Sequence, residues 1–309
     1  MKYCLVLGLA LISLLVHAQE TAFVEKVNAA TGIIEEYYVL KGDKSIKHGS
    51  YLKYKTGGIR ILESGSYNNG QKDGIWISFY KFNNRNIHNI KEKGAYVNGK
   101  KNGIWAQYYM DSVEVTEPKI FDNKGKKKDS VVIDINQNPK KIRLVGGYLN
   151  NKRIGEWSSF DVNGNLTQKY NFSRRRLIFD NTVGDTLNYN SNRAPLFIGG
   201  QSLLNFFLAY EFDPNKAIPA LKKDSVSIII SFVIHKDGRV DDYKIQKSST
   251  IKELDNECIR IINLTDMLWI PAVSSMGEPI DDRYEIKTEL VFENTSGKEK
   301  KYKIAFKSI

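Results

Sequence analysis

Cysteine, proline and histidine are all scarce in this chain, and each shortage excludes a class of protein. The 309 residues include 2 cysteines, 7 prolines and 4 histidines. Cys4 lies in an amino-terminal segment that we expect to be removed, so Cys258 would have no disulfide partner within the chain. The histidines lack the spacing of metal ligands. The prolines are too few and too scattered to form an extended proline-rich spacer.

Long apolar runs are also missing, since a membrane-spanning helix needs about 20 apolar residues. The segment from Cys4 to Val16 is shorter, follows the basic residue Lys2 and precedes Ala18, a pattern typical of a secretory signal. We therefore predict a signal peptide at residues 1–18, and a mature protein in the periplasm or secreted. The alternative is an uncleaved segment that anchors the chain in the inner membrane.

The short motifs of common enzyme classes are absent as well. The sequence has no Gly-x-Ser-x-Gly motif, phosphate-binding loop or His-Glu-x-x-His motif. Two carboxylate pairs, Asp241-Asp242 and Asp281-Asp282, are strand neighbours and should point to opposite faces, which does not suit acid–base catalysis. His235 lies beside a predicted turn, where an exposed polar residue is ordinary. We predict a protein that is not an enzyme and that binds no metal and no cofactor.

Positive charge is concentrated in the first part of the chain. Residues 19–194 carry 29 Lys/Arg and 18 Asp/Glu, whereas residues 195–309 carry 16 and 17. In an exported protein this surface could make weak contacts with anionic lipid. Lysines that guard exposed strand edges explain the charge more simply. Nucleic acid is not an expected partner, because export is predicted and no binding motif is present.

What the sequence does contain is a repeat built from aromatic residues and glycine. In each of three copies a tyrosine is followed seven residues later by a glycine and nine residues later by a tryptophan. The copies consist of Tyr67, Gly74 and Trp76, then Tyr96, Gly103 and Trp105, then Tyr148, Gly155 and Trp157. A partial copy precedes them at residues 49–54. Units this short cannot bury an apolar face alone and must stack on their neighbours.

Each copy contains a turn between two stretches that favour strands. Asn and Gly, as at residues 68–70, tolerate the positive φ that tight hairpins require. We interpret the three repeat glycines as positions where a ring or a backbone passes close, and the tryptophans as core. We predict an elongated antiparallel sheet of hairpins over residues 19–172, with an insert at about 110–145 and a polar linker at 173–195.

These units resemble MORN-type repeats, in the variant G-x-Y-x-N-G-x-x-x-G-x-W that also occurs in YwqK-like proteins. The resemblance covers roughly residues 31–172. It implies a structural or scaffolding array, or an antitoxin-like interaction protein.

The pattern of the chain changes after residue 195. A helix is predicted around residues 203–210, followed by a strand at 225–234, an Asp237-Gly238 turn and a partner strand at 240–247. A second helix and a closing strand follow. The buried stripe of this second helix should consist of Leu254, Cys258, Ile261 and Ile262, with an inert thiol.

This order resembles the carboxy-terminal domain of TonB-family proteins. The motifs that carry the resemblance are Gly199-Gly200, Asp237-Gly238-Arg239-Val240 and Trp269-Ile270-Pro271-Ala272. The resemblance implies mainly β-structure plus a two-layer α+β domain over residues 196–293, which binds a partner by accepting its peptide as an extra strand. It places the accepting edge on the closing strand, with Tyr284, Ile286, Thr288, Leu290 and Phe292.

We therefore expect a non-catalytic binding or adaptor protein of the cell envelope. The resemblance implies an envelope partner, such as an outer-membrane transporter or its amino-terminal peptide, and a role in TonB-dependent transport. One alternative is an energy transducer with an uncleaved membrane anchor, and another is a repeat scaffold. The basic tail at residues 294–309 alternates apolar and charged residues, so we hypothesise that it pairs with the accepting edge and guards it.

Overall fold

The structure is a computed structural model of the full chain. The residues that it describes are 19–56, 60–80, 89–110, 142–182, 191–213, 225–293 and 301–308. The predicted signal peptide and nearly all of the predicted insert lie outside these ranges. The described part of the chain is mostly β-structure with few helices.

Eleven strands form one antiparallel sheet in which each strand pairs with its neighbours in the sequence. The strands are β1 (Thr21–Asn28), β2 (Ile33–Leu40), β3 (Lys47–Lys55), β4 (Arg60–Asn68), β5 (Gln71–Phe79), β6 (Ile90–Val97), β7 (Lys100–Tyr108), β8 (Ile142–Leu149), β9 (Lys152–Phe160), β10 (Leu166–Asn171) and β11 (Arg176–Asp180). The prediction of a long antiparallel sheet is confirmed.

The hairpin turns have the backbone that their residues predict. Asn69 and Gly70 have φ values of 47° and 80°, and Asn98 and Gly99 have 48° and 74°. Two consecutive residues with positive φ are typical of a type I′ turn, whose twist matches that of the flanking strands. Asparagine and glycine therefore set the hairpin register locally.

A continuous row of aromatic rings crosses this sheet from strand to strand. The row contains Tyr51, Tyr67, Trp76, Tyr96, Trp105, Tyr148, Trp157 and Phe172, with ring centroids 5.0–6.0 Å apart. Most of the pairs are edge-to-face, the geometry that the ring quadrupoles favour. The three repeat tryptophans are buried, so the repeats are held together by rings that interlock across neighbouring strands.

Each repeat tryptophan covers a glycine on the preceding strand. A Cβ on Gly94 would lie 2.1 Å from the ring of Trp105, and Gly65 and Gly146 are covered in the same way by Trp76 and Trp157. The indole N–H of Trp105 donates to the carbonyl of Ala95 at 3.0 Å. Only glycine leaves room for a ring packed directly on the backbone.

The interpretation of the three repeat glycines was therefore wrong. A Cβ at Gly103 or Gly155 would meet no heavy atom within 4 Å, and a Cβ at Gly74 would meet only Ser66 Oγ, at 3.4 Å. Gly74, Gly103 and Gly155 have positive φ, at 70°, 70° and 61°, so glycine is required for its backbone conformation and not to leave room for a ring. The glycines on which rings pack are those two residues before each repeat tyrosine.

A second sheet lies in the carboxy-terminal part, with the strand order β14-β13-β18-β19. Its elements are β13 (Ser225–Ile234), β14 (Val240–Lys247), β18 (Asp282–Glu293) and β19 (Lys301–Ser308). The helices among the described residues are α1 (Gly200–Glu211) and α2 (Lys252–Asn263). Two short strand pairs complete this part, β12 (Leu196–Phe197) with β15 (Trp269–Ile270) and β16 (Ala272–Val273) with β17 (Pro279–Ile280).

One hydrophobic core joins both helices to this sheet. It contains Leu204 and Leu208 from α1, the predicted stripe of α2, and buried residues from β13, β18 and β19. The burial of Leu254, Cys258, Ile261 and Ile262 is thereby confirmed. Burial raises the pKa of the Cys258 thiol to about 12, so the thiol stays protonated and unreactive.

The two parts of the chain also share a core. Trp157, Tyr170 and Leu177 of the large sheet pack with Ile198 and Ile270 of the carboxy-terminal part. Leu177 belongs to β11, which lies inside the segment predicted as a linker. Leu177, Ile178 and Phe179 are three consecutive apolar residues, so the sequence shows no strand alternation here, and the strand forms because its neighbours cover Leu177.

Polar contacts reinforce this junction. The Gln168 side chain donates to the Phe197 carbonyl at 3.3 Å and accepts from the Gly199 N–H at 2.8 Å. The Arg153 guanidinium donates to the Met267 carbonyl at 2.7 Å. Because backbone groups on one side are bonded to side chains on the other, the repeat sheet and the carboxy-terminal domain are held in a defined geometry.

Candidate partner-binding edge

The strand predicted to offer a free edge is paired on both sides. β18 pairs with β13 from Ser225↔Val291 to Ile234↔Asp282. On its other side it pairs with β19 from Ile286↔Ser308 to Glu293↔Lys301. The prediction of a free edge at β18 is therefore wrong for this structure, and the hypothesis that the tail pairs with that edge is confirmed.

The side chains predicted to bind a partner belong to the core or its margin. Ile286, Thr288 and Leu290 are 1–3 % exposed, and Tyr284 packs 4.7 Å from the Trp269 ring centroid. The backbone of Phe292 pairs with Tyr302, and its side chain lies outside the described residues. Alternate residues of a strand point to one face, so these apolar residues face the core together. What β18 can offer a guest is its main chain.

One aromatic residue joins the tail to the core. Phe306 is only 5 % exposed, lies opposite Thr288 in the register and belongs to the main core cluster. Ile304 packs partly against the same cluster. Ala305 and Lys307 are exposed on the other face of β19. The inward side of the tail is thus a site for alternating apolar side chains.

A polar contact closes the end of the tail. The Tyr284 hydroxyl donates to Ser308 Oγ at 2.7 Å, and Ser308 Oγ donates to Gln201 Oε1 at 2.5 Å. On the exposed face, Lys307 forms a 3.2 Å ion pair with Glu289. Exposed contacts of this kind contribute little, so Phe306 and the main-chain pairing hold the tail.

A cluster of polar side chains at the end of β13 was not predicted from the sequence. The Nδ1 and Nε2 atoms of His235 lie 2.9 Å from Asp281 and 2.7 Å from Asp241. Asp281 also accepts the Lys236 backbone N–H at 2.8 Å. His235 follows β13, Asp241 lies in β14 and Asp281 precedes β18, so their spacing in the sequence gave no signal. The hydrogen bonds to Asp281 and Asp241 raise the pKa of His235 above its ordinary 6.5.

This cluster predicts a pH-dependent contribution to stability. Because the pKa of His235 is higher in the folded state, protonated His235 stabilises the fold, and this contribution is complete below the ordinary pKa of 6.5 that applies to the unfolded chain. The contribution disappears as the pH rises through the folded-state pKa. Urea unfolding of wild type and Asp281→Asn between about pH 5 and 9 measures it. We expect the variant to be less stable at pH 5 and the difference to shrink towards pH 9. A difference that grows with pH would contradict this assignment.

Neither helix in the described ranges is both long and apolar enough to span a bilayer. Among the residues that the structure describes, no cluster of His, Cys, Asp or Glu has the arrangement of a metal site.

The comparisons with known proteins point to the same part of the chain. Residues 220–292 match the family model of the Gram-negative bacterial TonB protein C-terminal. The matched region includes β13, α2 and all of β18 except its last residue, and it ends before β19. No curated protein and no solved structure matches the chain. The match supports a carboxy-terminal TonB-family domain and suggests a TonB-like role in the cell envelope.

Proposed function

We propose that this protein is a non-catalytic adaptor of the cell envelope that captures one strand of a partner protein on β18. The observation that carries the proposal is that β19, a strand beyond the family match, occupies the outer edge of β18. In this view β19 is a removable occupant, and a guest strand takes its place in the two-layer α+β domain. Main-chain hydrogen bonds would supply affinity, and pockets for alternate side chains would supply selectivity.

The tail indicates what a guest must provide. A guest strand needs an apolar side chain where Phe306 now lies and a smaller apolar one near Ile304, with polar or small residues between them. An extended, alternating peptide such as the amino-terminal segment of an outer-membrane transporter has the required form. Support of transport across the outer membrane is the role that follows.

The remaining edges of this sheet are less suitable for strand addition. β19 is the outer strand at one edge of the sheet, and it carries exposed lysines, including Lys303 and Lys307. β14 carries Asp241, Asp242 and Lys244 on an exposed strand. Charged residues on an edge oppose pairing with another chain. The edge of β18 is apolar on its core side, so exchange of β19 for a guest is the favoured route.

The repeat sheet favours a second candidate role, that of a rigid spacer. We infer MORN-type repeats from the shared glycine, tyrosine and tryptophan positions and from the ring row that links them. The core shared with the carboxy-terminal domain would transmit displacement of one part to the other. An energy transducer anchored through an uncleaved amino-terminal segment would use the same rigidity.

Photocrosslinking in intact envelopes tests the site of capture. A photoreactive residue replaces Val291 on β18 or, as a matched control, Ile245 on β14, which are 44 % and 42 % exposed. We expect a discrete adduct with an envelope protein from position 291 and at least about a tenfold lower yield from position 245, because an added strand lies directly beside β18. Equal yields from both positions would contradict the proposal.

A further inference from the structure

A small pocket lies where the repeat sheet meets the carboxy-terminal domain. Its volume is about 220 Å³. We name it the junction pocket. Its lining comprises Tyr170, Arg174, Arg175 and Arg193 before the first helix, and Pro271, Val273, Gly277, Glu278 and Pro279 after the second.

Positive charge predominates in the junction pocket. Arg174 and Arg175 are exposed and form no ion pair with any described residue. Glu278 is the acidic residue in the lining. Asp180 acts electrostatically on Arg193 and offsets its charge. The two exposed arginines therefore leave a net positive charge that a ligand can neutralise.

Arg193 is held rigidly in the wall of the pocket. Its guanidinium donates to the carbonyls of Ala194 at 2.8 Å and Pro271 at 2.9 Å. Its backbone exchanges hydrogen bonds with Val273 at 2.8 and 2.9 Å. Burial lowers the pKa of Arg193, although an arginine so far above neutrality stays charged. A fixed guanidinium loses little further side-chain entropy when it binds a ligand.

Arg175 occupies a backbone conformation that arginine rarely adopts. Its φ is +49°, a left-handed value at which the other tight turns of this sheet place asparagine or glycine. A side chain with a Cβ is strained in this region, and such strain is concentrated at functional sites. The turn between β10 and β11 thus keeps an arginine where glycine would be more stable.

Tyr170 adds a neutral donor to the same wall. Burial raises the pKa of its hydroxyl, and the positive charges of Arg193 and Arg175 oppose that rise. Both arginines therefore lie near this ring. The hydroxyl forms no hydrogen bond with any described residue, so it can donate to a ligand.

We propose that the junction pocket binds a phosphate group. Guanidinium groups bind phosphate oxygens through paired, charge-assisted hydrogen bonds. The pocket presents the exposed guanidiniums of Arg174 and Arg175, with the hydrogen-bonded guanidinium of Arg193 and the Tyr170 hydroxyl in its wall. The phosphate belongs either to a soluble phosphate compound or to the head group of an anionic lipid. This site is independent of strand capture on β18.

Calorimetric titration of the full chain with inorganic phosphate tests the site, with chloride at equal ionic strength as the reference. We expect saturable binding. The double variant Arg174→Gln/Arg175→Gln should weaken the affinity by about tenfold or more, because the charge-assisted hydrogen bonds that it removes together contribute more than a tenfold change in affinity. Arg176→Gln is the matched control, because this exposed neighbour does not line the pocket. Glu278→Gln should tighten binding, since it removes a negative charge.

The outcomes separate the site from general attraction of anions. Phosphate that binds no better than chloride would overturn the proposal, as would an equal loss in Arg176→Gln. Vesicles containing phosphatidylglycerol distinguish the two sources. A lipid head group is supported if the wild-type protein sediments with these vesicles, if the double variant does not, and if free phosphate inhibits the sedimentation. Phosphate binding without vesicle binding supports a soluble phosphate compound.

Discussion

Replacing Trp105 with alanine should destabilise the protein by about 3–5 kcal/mol, the usual cost of removing a large buried ring. Trp105 is 3 % exposed and lies between Tyr96 and Tyr148 in the ring row, at 5.1 and 6.0 Å. Its loss would interrupt the row and also uncover Gly94. Because domains have only about 5–15 kcal/mol of net stability, the effect should be evident as a large fall in the urea midpoint.

The neighbour of this tryptophan provides a matched control. Ile104 is 69 % exposed on the same strand, and Ile104→Ala should change the free energy of unfolding by no more than about 0.5 kcal/mol. Gly94→Ala should destabilise by roughly 1–3 kcal/mol through overpacking, because its Cβ would lie 2.1 Å from the Trp105 ring. If Trp105→Ala and Ile104→Ala unfolded alike, the ring row would not be the core of the repeats.

The second large effect concerns the tail, where Phe306→Ala should make β18 available to a guest. Loss of this buried ring should reduce the free energy with which the tail docks on β18 by about 3–5 kcal/mol. Each 1.4 kcal/mol changes the equilibrium constant for docking by a factor of about ten. A labelled peptide with the sequence of residues 301–309 is the probe, because that strand fits this edge. We expect its affinity for the variant to exceed that for wild type by up to about 10²–10³-fold, measured by fluorescence anisotropy.

A surface variant of the same strand controls for this effect. Lys307→Ala removes an exposed ion pair with Glu289, which is worth about 0–1 kcal/mol, so peptide affinity should change by less than about fivefold. Circular dichroism verifies that both variants remain folded. A folded Phe306→Ala protein that binds the peptide no better than wild type would show that the tail does not limit access to β18.

The repeat sheet was predictable because its determinants are local. Asn69 and Gly70 specify a turn by their own conformational preferences, and the fixed interval between Tyr67 and Trp76 specifies which residues share a face. The role of Gly74 was not predictable in the same way. A requirement for positive φ and a requirement for space both favour glycine, and only the structure distinguishes them.

The candidate site depended on contacts that are distant in the sequence. The alternation from Tyr284 to Leu290 predicted a strand with one buried face, which is correct. The alternation pattern did not specify which strand pairs with β18, because main-chain hydrogen bonds form with little dependence on side-chain identity. The tail was recognisable as a strand, and the hypothesis that it pairs with this edge was correct. The burial of Phe306 in the core and the contact of His235 with Asp281 result from tertiary packing.

Strand exchange on β18 is tested most directly by locking the tail in place. Glu289 and Ala305 are directly opposite each other in the register, so Glu289→Cys/Ala305→Cys should form a disulfide across β18 and β19. With the photoreactive residue at position 291, we predict that the oxidised protein loses its envelope adduct and that reduction restores it. An undiminished adduct from the locked protein would contradict capture by strand exchange.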